Sequence, residues 1–449
     1  MLKYRQRVVW TRIANQVAAA LLARRWTKRA LSQSLAGFAD LRTKPAQREF
    51  IARLITYAPG PVPPDSEDLI RFLIDEPSFR KALAPLAKPG VRTPVVLAPP
   101  RFAPAGRFRD LDIPKLATVG ALADWLDVSL NDLDWLADTR HLQGRTDNPL
   151  LQHYVYSFRE KRIGPPRLIE APKPRLKALQ RRILSDILDK VPVHAAAHGF
   201  VSGRSAVTGA SIHAAEAIVA TLDIRDFFLT TRVSRVHALF HSLGYPDGVS
   251  RTLTGLATTR TPASVFTTAP GPRRHDRETR LTFADPHLPQ GAPTSPALAN
   301  LCAFSLDVRL TGLARRFGAN YTRYADDLAV SGGAAFAQRI ARFLDRAAEV
   351  VADEGFAINA AKTQVMTRAT AQRVTGIVVN DHVNTPRESY DTLKAILTNC
   401  TRHGAASQNR DRIANFRAHL EGRIAWVAHV NPQRGRKLVG LFEQIAWSE

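Results

Sequence analysis

Two apolar segments that each run into aspartates constrain the fold of this chain more than any other sequence feature. The first, residues 217–222, ends at Asp223, and the second, residues 321–330, carries Asp326 and Asp327 near its centre. Short apolar runs bounded by polar residues are typical of buried strands, and a polar centre between two such runs predicts a hairpin. The sequence therefore predicts carboxylates at the end of one strand and at the tip of a hairpin.

Adjacent acids in a tight hairpin repel each other, and a hard divalent cation is a common compensation. Magnesium favours carboxylate and phosphate oxygens over a cage made only of protein ligands. If Asp223 lies beside Asp326, the pair can hold two magnesium ions about 4 Å apart, which suits in-line nucleotidyl transfer. The alternative is that Asp326 and Asp327 form a polar turn without chemistry.

The charge of the chain favours a polyanionic partner. Lysine and arginine number 63 against 40 acidic residues, which gives a formal charge of +23. A surface this basic gains affinity by releasing counterions from phosphates. A general bias towards arginine, alanine and proline is the alternative explanation. The apolar share of 45% leaves ample material for a core and excludes global disorder.

The two cysteines, Cys302 and Cys400, cannot form a disulfide framework or a zinc site by themselves, so we expect a cytoplasmic protein. No run of about 20 apolar residues predicts a membrane span. Residues 1–29 carry an apolar stripe at helical spacing through Val9, Ile13 and Val17, and predict an amphipathic helix rather than a signal peptide.

Helical and strand-like patterns follow one another in an order that predicts an α+β fold with an antiparallel sheet. Residues 1 to about 90 have helical spacing, and the proline-rich residues 94–104 predict a linker or an extended arm. Trp125 and Trp135 sit at core-like spacing in a short helical module. Further on, strands are predicted at 154–158, 167–169 and 374–379, with a basic helix at 174–188 and helices at the C-terminus.

The segment Tyr324-Ala325-Asp326-Asp327 resembles the catalytic box of reverse transcriptases, and Asp223 lies where that family has its first catalytic aspartate. Residues 288–296, 355–363, 161–169 and 174–183 resemble further motifs of the family, in the family's order. The resemblance implies a right-hand polymerase. Its expected parts are a helical N-terminal extension with linker (1–105), a helical module and fingers (106–216), a palm (217–388) and a helical thumb (389–449).

The resemblance also implies roles for individual residues. Asp223 and Asp326 would bind both metals, with Asp327 assisting. Phe228 would lie under the nucleotide sugar, where its ring excludes a ribose 2′ hydroxyl. The remaining nucleotide contacts would come from Gln290, Gly291, Arg167 and Lys362. We expect Phe227 to pack in the core and Asp226 to cap the helix that follows.

Within that family, residues 198–205, 209–213 and 374–376 are most similar to retron reverse transcriptases, although Gly209 replaces the asparagine usual there. Such enzymes copy part of a structured non-coding RNA from their own locus, starting at a guanosine 2′ hydroxyl. Their partners would be this RNA, its DNA product, deoxynucleoside triphosphates and an effector protein in antiphage defence. The implied RNA contacts are Arg423, Arg434, Arg436, Lys437 and His213, and His213 could equally be a core histidine.

Three other interpretations stay open at this stage. A group II intron reverse transcriptase would carry further regions after the thumb, and we expect none here because the chain ends about 70 residues beyond Gly376. An abortive-infection reverse transcriptase is a second relative. An RNA-binding scaffold without catalysis is the third, and the three aspartates argue against it because a pure binder gains nothing from acids near phosphates.

Overall fold

A computed structural model describes residues 4–22, 26–35, 44–59, 64, 66–87, 100–143, 148–161, 165–267 and 277–447 of the chain. The chain divides into two compact units, Met1–Arg101 and Phe102–Glu449. Most of the proline-rich stretch predicted as a linker lies outside the described residues.

The first unit is helical, as predicted. Its helices are α1 (Tyr4–Leu22), α2 (Lys28–Leu35), α3 (Lys44–Tyr57), α4 (Ser66–Asp75) and α5 (Pro77–Ala82). The predicted stripe on α1 is confirmed, because Ile13 and Val17 are fully buried. They belong to a core that also contains Phe50 and Phe79, whose ring centroids lie 5.5 Å apart.

The second unit begins with an extended segment that is fixed to its body. The backbone amides of Ala103 and Ala105 donate to the carbonyls of Gly244 and Ser242, and the ring of Phe102 packs edge-on against Tyr245. The structure thus places residues 102–105 with this unit.

The strands in the described part of the second unit form three antiparallel sheets. The central one has the order β4-β5-β3-β6, and two-stranded sheets join β1 to β2 and β7 to β8. This architecture confirms the predicted α+β fold with an antiparallel sheet. The strands are β1 (Tyr154–Arg159), β2 (Arg167–Pro172), β3 (Ile218–Asp223), β4 (Ala319–Tyr324), β5 (Asp327–Gly332), β6 (Gln364–Thr367), β7 (Arg373–Val374) and β8 (Ile377–Val378).

Helices cover the sheets and form the C-terminal part of the unit, and the predicted basic helix is α8. They are α6 (Val119–Leu126), α7 (Leu130–Ala137), α8 (Pro174–Asp186), α9 (Ala206–Ser211), α10 (Phe227–Thr230), α11 (Val233–Ser242), α12 (Asp247–Ala257), α13 (Arg277–Ala284), α14 (Ser295–Cys302), α15 (Phe304–Phe317), α16 (Ala334–Ala337), α17 (Ile340–Asp353), α18 (Arg387–His403), α19 (Phe416–Val430) and α20 (Pro432–Phe442).

Two local predictions are wrong. The single strand expected at 374–379 is a hairpin of two short strands, because Thr375 and Gly376 both have positive φ and turn the chain between them. Trp135 does not pack in the core. It is 45% exposed and stands edge-on against the ring of His153, whereas Trp125 is half-buried beneath the guanidinium of Arg182.

In the described part of the chain, no single helix is long and apolar enough to cross a membrane. The pair α14 and α15 would meet that length and composition only together, with a bend of 49° between them. Leu298, Leu306 and Leu310 of this pair are buried in the core of the second unit.

A buried ion pair connects α15 to the hairpin of β4 and β5. Arg323 and Asp307 are both fully buried, and Arg323 donates to the two carboxylate oxygens of Asp307 at 2.8 and 2.6 Å. The hydroxyl of Tyr321 donates to the same carboxylate at 2.9 Å. Arg323 also donates to Asn300 Oδ1 and to the carbonyl of Ala325, at the hairpin tip. Because these donors and acceptors saturate one another, the two charges can stay buried.

We predict that Asp307→Asn destabilises the protein strongly, because it leaves the charge of Arg323 buried without a counterion. Breaking a buried pair in this way costs about 3–5 kcal/mol, measurable by urea unfolding. The matched control is Asp353→Asn, which breaks a solvent-exposed pair with Arg309 and should change stability little. Equal effects of the two substitutions would contradict the account of this network.

Candidate active site

Backbone pairing brings the predicted carboxylates together. Strand β3 runs antiparallel to β5, and in this register Asp223 is the direct partner of Asp327. The amide of Ile224 extends the ladder by donating to the carbonyl of Asp326 at 2.9 Å. The end of β3 and the tip of the hairpin therefore lie side by side, as the resemblance to reverse transcriptases implied.

The hairpin tip has an unusual backbone that its surroundings hold in place. Strand β4 ends at Tyr324 and β5 begins at Asp327, so the loop consists of Ala325 and Asp326, with Ala325 at a φ of 56°. The turn that contains Gly199 packs directly against this loop. A Cβ atom at Gly199 would lie only 2.7 Å from the amide nitrogen of Ala325, so only glycine permits the approach.

A lysine from the segment before β6 completes the cluster. The amide of Asn359 donates to the carbonyl of Asp223, and the short turn Ala360–Lys362 follows. Lys362 Nζ then forms an ion pair with Asp223 Oδ1 at 2.6 Å. The Asp223 side chain is almost completely buried, while that of Lys362 is 62% exposed.

The positive charges near the three aspartates do not fully compensate the negative charges of their carboxylates. Burial raises the pKa of Asp326, and the nearby charge of Asp223 raises it further, against the opposing charges of Lys362 and Arg167. Burial, followed by the charges of Asp326 and Asp223, raises the pKa of Asp327 to about 6. The hydrogen bond to Asp223 raises the pKa of Lys362. A cation bound here would relieve the repulsion.

The donor set matches a metal that is held partly by its substrate. In the described ranges, no group of three or more acidic, histidine or cysteine side chains is arranged to hold an ion by itself. Magnesium usually takes one or two protein carboxylates and fills its remaining positions with water and phosphate oxygens. Asp223 and Asp326 fit that requirement.

A cavity of about 540 Å³ opens beside the carboxylates. Its wall includes Asp223, Asp327 and Lys362 on one side and residues of α9 and of the hairpin β7–β8 on the other. The acidic cluster therefore faces a concave surface large enough for part of a nucleotide.

Gln290 and Gly291 lie against strand β2. The amide of Glu170 donates to the carbonyl of Gln290 at 2.8 Å, and Gly291 has a φ of 135°. A Cβ atom at Gly291 would stand 2.9 Å from the Glu170 carbonyl, so the close approach that this glycine permits is to β2. The Glu170 carboxylate is itself buried, and it binds His287 Nε2 at 3.0 Å and the hydroxyl of Thr261 at 2.6 Å.

The two phenylalanines after Asp223 differ in burial. Phe227 is buried, as predicted, and Phe228 is half-buried. Asp226 occupies the N-cap position of α10, but its φ is 49° and its side chain makes no capping hydrogen bond. The predicted cap is therefore wrong, because a left-handed backbone at this position does not direct the carboxylate towards the helix amides.

His213 is a core histidine. It is fully buried, and its two ring nitrogens contact the hydroxyls of Ser331 and Thr322 at 2.8 and 2.7 Å. Burial lowers its pKa to about 4, so the ring is neutral. The predicted RNA contact is therefore wrong, because both nitrogens are already occupied inside the protein.

The basic residues expected in the thumb differ in their surroundings. Arg434 lies over the ring of Tyr390 at 4.6 Å, so its guanidinium partly supports the packing of α20 on α18. Arg436 and Lys437 are exposed on α20. Arg423 lines a groove of about 700 Å³ together with His419 and Trp426, and Trp426 is 45% exposed.

Comparison with known proteins agrees with this geometry. Residues 159–387 match the family model described as reverse transcriptase (RNA-dependent DNA polymerase). The chain is 42% identical over 305 residues to the retron Mx65 reverse transcriptase of Myxococcus xanthus, which covers 67% of this chain and 66% of that protein. It is 35% identical over 360 residues to the retron Mx162 reverse transcriptase of the same organism, covering 76% and 69%.

The retron Ec86 reverse transcriptase of Escherichia coli is 28% identical over 337 residues, with coverage of 74% and 91%. Among solved structures, a foamy viral protease-reverse transcriptase in complex with double-stranded DNA covers 67% of this chain and 45% of its own. That likeness has a TM-score of 0.32 at 13% identity and is too distant to support an assignment.

The chain therefore belongs to the reverse transcriptases, which copy RNA into DNA. It is a member of the retron type. It spans about two thirds of the two Myxococcus relatives.

The raised pKa of Asp327 predicts a dependence of stability on pH. The folded-state pKa of about 6 lies above the ordinary value of about 3.9 in an unfolded chain. The contribution of this group is therefore complete below pH ~4 and is lost as the pH rises through 6. Asp327→Asn, which stays neutral, should unfold at a higher temperature than the wild type at pH 8 in EDTA, and at a similar temperature at pH 4.

The control for this measurement is Asp345→Asn, which changes an exposed aspartate on α17 and should show the same difference from wild type at both pH values. Added magnesium should reduce the difference in unfolding temperature between Asp327→Asn and the wild type. An Asp327→Asn variant that is no more stable than the wild type at pH 8 would refute the electrostatic description of the cluster.

Proposed function

We propose that this enzyme copies part of a structured RNA from its own locus into a short single-stranded DNA that stays attached to a guanosine 2′ hydroxyl of that RNA. The observation that carries the proposal is the direct pairing of Asp223 with Asp327 on adjacent strands, with Asp326 at the tip beside them. The similarity of the chain to retron reverse transcriptases supports the retron part of the proposal.

Each residue of the cluster has a chemical task in this proposal. Asp223 and Asp326 hold the metal, and Asp327 adds negative charge from the neighbouring strand. Lys362 neutralises Asp223 in the absence of substrate. Its side chain is mostly exposed, so it can turn towards the phosphates of an incoming nucleotide once a metal takes over the carboxylate. Arg167, whose charge already acts on Asp326, contributes from β2.

Two magnesium ions are the proposed cofactor. When bound, they would activate the priming hydroxyl and neutralise the charge of the departing pyrophosphate. The protein's own contribution is to fix the carboxylates on a rigid sheet, because nucleotidyl transfer depends mainly on positioning and on charge stabilisation. Phe228 restricts the sugar to deoxyribose, and Gln290 with Gly291 shapes the nucleotide site from the edge of β2.

The proposed division of the chain follows from where these residues lie. Residues 106–216 form the fingers with their helical module, residues 217–388 form the palm that carries the aspartates, and residues 389–449 form the thumb. Residues 1–101 form the extension, and residues 102–105, which we expected in it from the sequence, belong with the second unit. The thumb holds the template RNA through Arg423, Arg434, Arg436 and Lys437, and the exposed Trp426 offers a ring for an unpaired base.

The wider setting is part of the same proposal. We assign this chain to an antiphage system with an effector protein encoded nearby, which is the setting that the resemblance to retron enzymes implies. The cognate RNA, its DNA product and that effector would be its partners.

The proposal predicts that Asp326→Asn abolishes production of DNA in cells. The gene is expressed with its native flanking DNA, nucleic acid is extracted and treated with RNase, and short single-stranded DNA is sought on a gel. The wild type should give one discrete band, and loss of a metal-binding carboxylate should reduce it about a thousandfold or more. A mobility shift after treatment with a debranching enzyme would identify the 2′ linkage.

Asp353→Asn, an exposed aspartate on α17, is the matched control and should keep the band. A band of normal intensity from Asp326→Asn would contradict the catalytic assignment. The absence of any band from the wild type would contradict the proposed product, and RNA-templated primer extension with the purified enzyme would then measure its polymerase activity separately.

The thumb assignment predicts a change in the salt dependence of RNA binding. Replacing Arg436 and Lys437 by serine removes two exposed positive charges from α20. If each contacts a phosphate, the slope of log affinity against log salt should become shallower by about two. The control replaces Arg342 and Arg346 on α17, which changes the net charge equally and should leave the slope unchanged. Equal slopes for the two double variants would contradict the assignment.

A further inference from the structure

Phe200 combines an unfavourable backbone with an exposed aromatic ring. Its φ is 58°, and its side chain is 53% exposed. Positive φ is uncommon outside glycine, asparagine, aspartate and histidine, and for a bulky side chain it is an outlier. Among the residues in the described part of the chain that share this backbone, Phe200 has the largest apolar side chain.

Packing in the core does not account for this residue, because more than half of the side chain faces solvent. A buried ring would stabilise the fold and offset the strain in the backbone, whereas an exposed ring stabilises the fold little. A glycine at the same position would remove the strain at no steric cost. Strained residues whose own contacts do not offset the strain are concentrated at functional sites.

The surroundings fix where the ring lies. The carbonyl of the preceding residue, Gly199, accepts a hydrogen bond from Asn300 Nδ2 at 2.8 Å, and Gly199 is pressed against the hairpin tip. Asn300 in turn binds Arg323 of the buried network. The turn that carries Phe200 is therefore attached to the same support as the aspartates.

Two aromatic neighbours complete a cluster beside the hairpin tip. The ring centroid of Phe200 lies 6.4 Å from that of Phe228 and 6.2 Å from that of Tyr324 in the hairpin. Phe228 also contacts the buried Phe227 at 5.9 Å, so one side of its ring rests on the core. Phe200 stands at the side that is open to solvent.

We propose that Phe200 is a specificity-determining residue that contacts the sugar of the bound nucleotide and, with Phe228, excludes a ribose 2′ hydroxyl. This inference rests on the role proposed for Phe228. The strained backbone fixes the ring of Phe200 beside the ring of Phe228. Phe228 therefore cannot rotate away to make room for the 2′ hydroxyl of a ribonucleotide. The function gained is rejection of ribonucleotides.

The test is single-nucleotide incorporation by the full-length enzyme on an RNA template with a DNA primer, comparing dATP with ATP. In Phe200→Gly and Phe200→Asn, the ratio of kcat/KM for dATP to that for ATP should fall about tenfold, the size of effect that one apolar contact provides in discrimination. Phe200→Tyr should keep the wild-type ratio because it retains the ring.

Glycine and asparagine both tolerate positive φ, so these variants should unfold at a temperature no lower than the wild type, and a loss of discrimination would not reflect unfolding. His141→Gly is the matched control. It also removes a ring and relieves a positive φ of 55°, but at a residue after α7 and outside the aromatic cluster.

If Phe200→Gly and Phe200→Asn both keep the wild-type ratio of kcat/KM for dATP to that for ATP, the inference is overturned. This holds even if kcat/KM for the two nucleotides falls by the same factor. Phe228→Ala separates it from the proposed function. If Phe228→Ala lowers the ratio and the Phe200 variants do not, only the inference fails. If the Phe200 variants lower it and Phe228→Ala does not, the role proposed for Phe228 fails, and the inference that rests on it fails as well.

Discussion

The buried ion pair between Arg323 and Asp307 is the interaction on which the active site depends most. It joins α15 to strand β4 inside the core, and the same guanidinium reaches the carbonyl of Ala325 at the hairpin tip. Asn300 extends the network to the turn at Gly199, which packs on that tip from the other side. A positive φ at an alanine persists only where the surroundings over-determine it, and this network provides such surroundings.

The cluster that this support holds is unfavourable by itself. Three aspartates lie close together with raised pKa values at Asp326 and Asp327, and the ion pair from Lys362 compensates only part of their charge. The enzyme thus keeps a destabilised site that a metal and nucleotide phosphates would complete. Phe200 lies beside this site, and its strained backbone is likewise unfavourable by itself. Stability supplied by the buried network is offset here by groups to which we assign binding and nucleotide selection.

Local sequence patterns predicted most of the strands and the hairpin, because period-two apolar runs and their polar interruptions are short-range signals. The meeting of Asp223 with Asp326 was implied by the resemblance to reverse transcriptases. The Arg323–Asp307 pair had no such signal, since a buried charge pair between a helix and a strand leaves no periodic trace. Burial of His213 depended on hydroxyls more than 100 residues away. The exposure of Trp135 was missed because helical spacing alone does not reveal which face a neighbouring element leaves uncovered.

The central claim is that Asp223 and Asp326 act as one metal-dependent site. The most direct test is RNA-templated primer extension with purified Asp223→Asn, Asp326→Asn and the double variant, each compared with the wild type. Residues that act as a unit are not additive, so each single variant should lose about a thousandfold or more in rate and the double variant little beyond that. Appreciable activity in either single variant, or losses that multiply in the double variant, would contradict the claim.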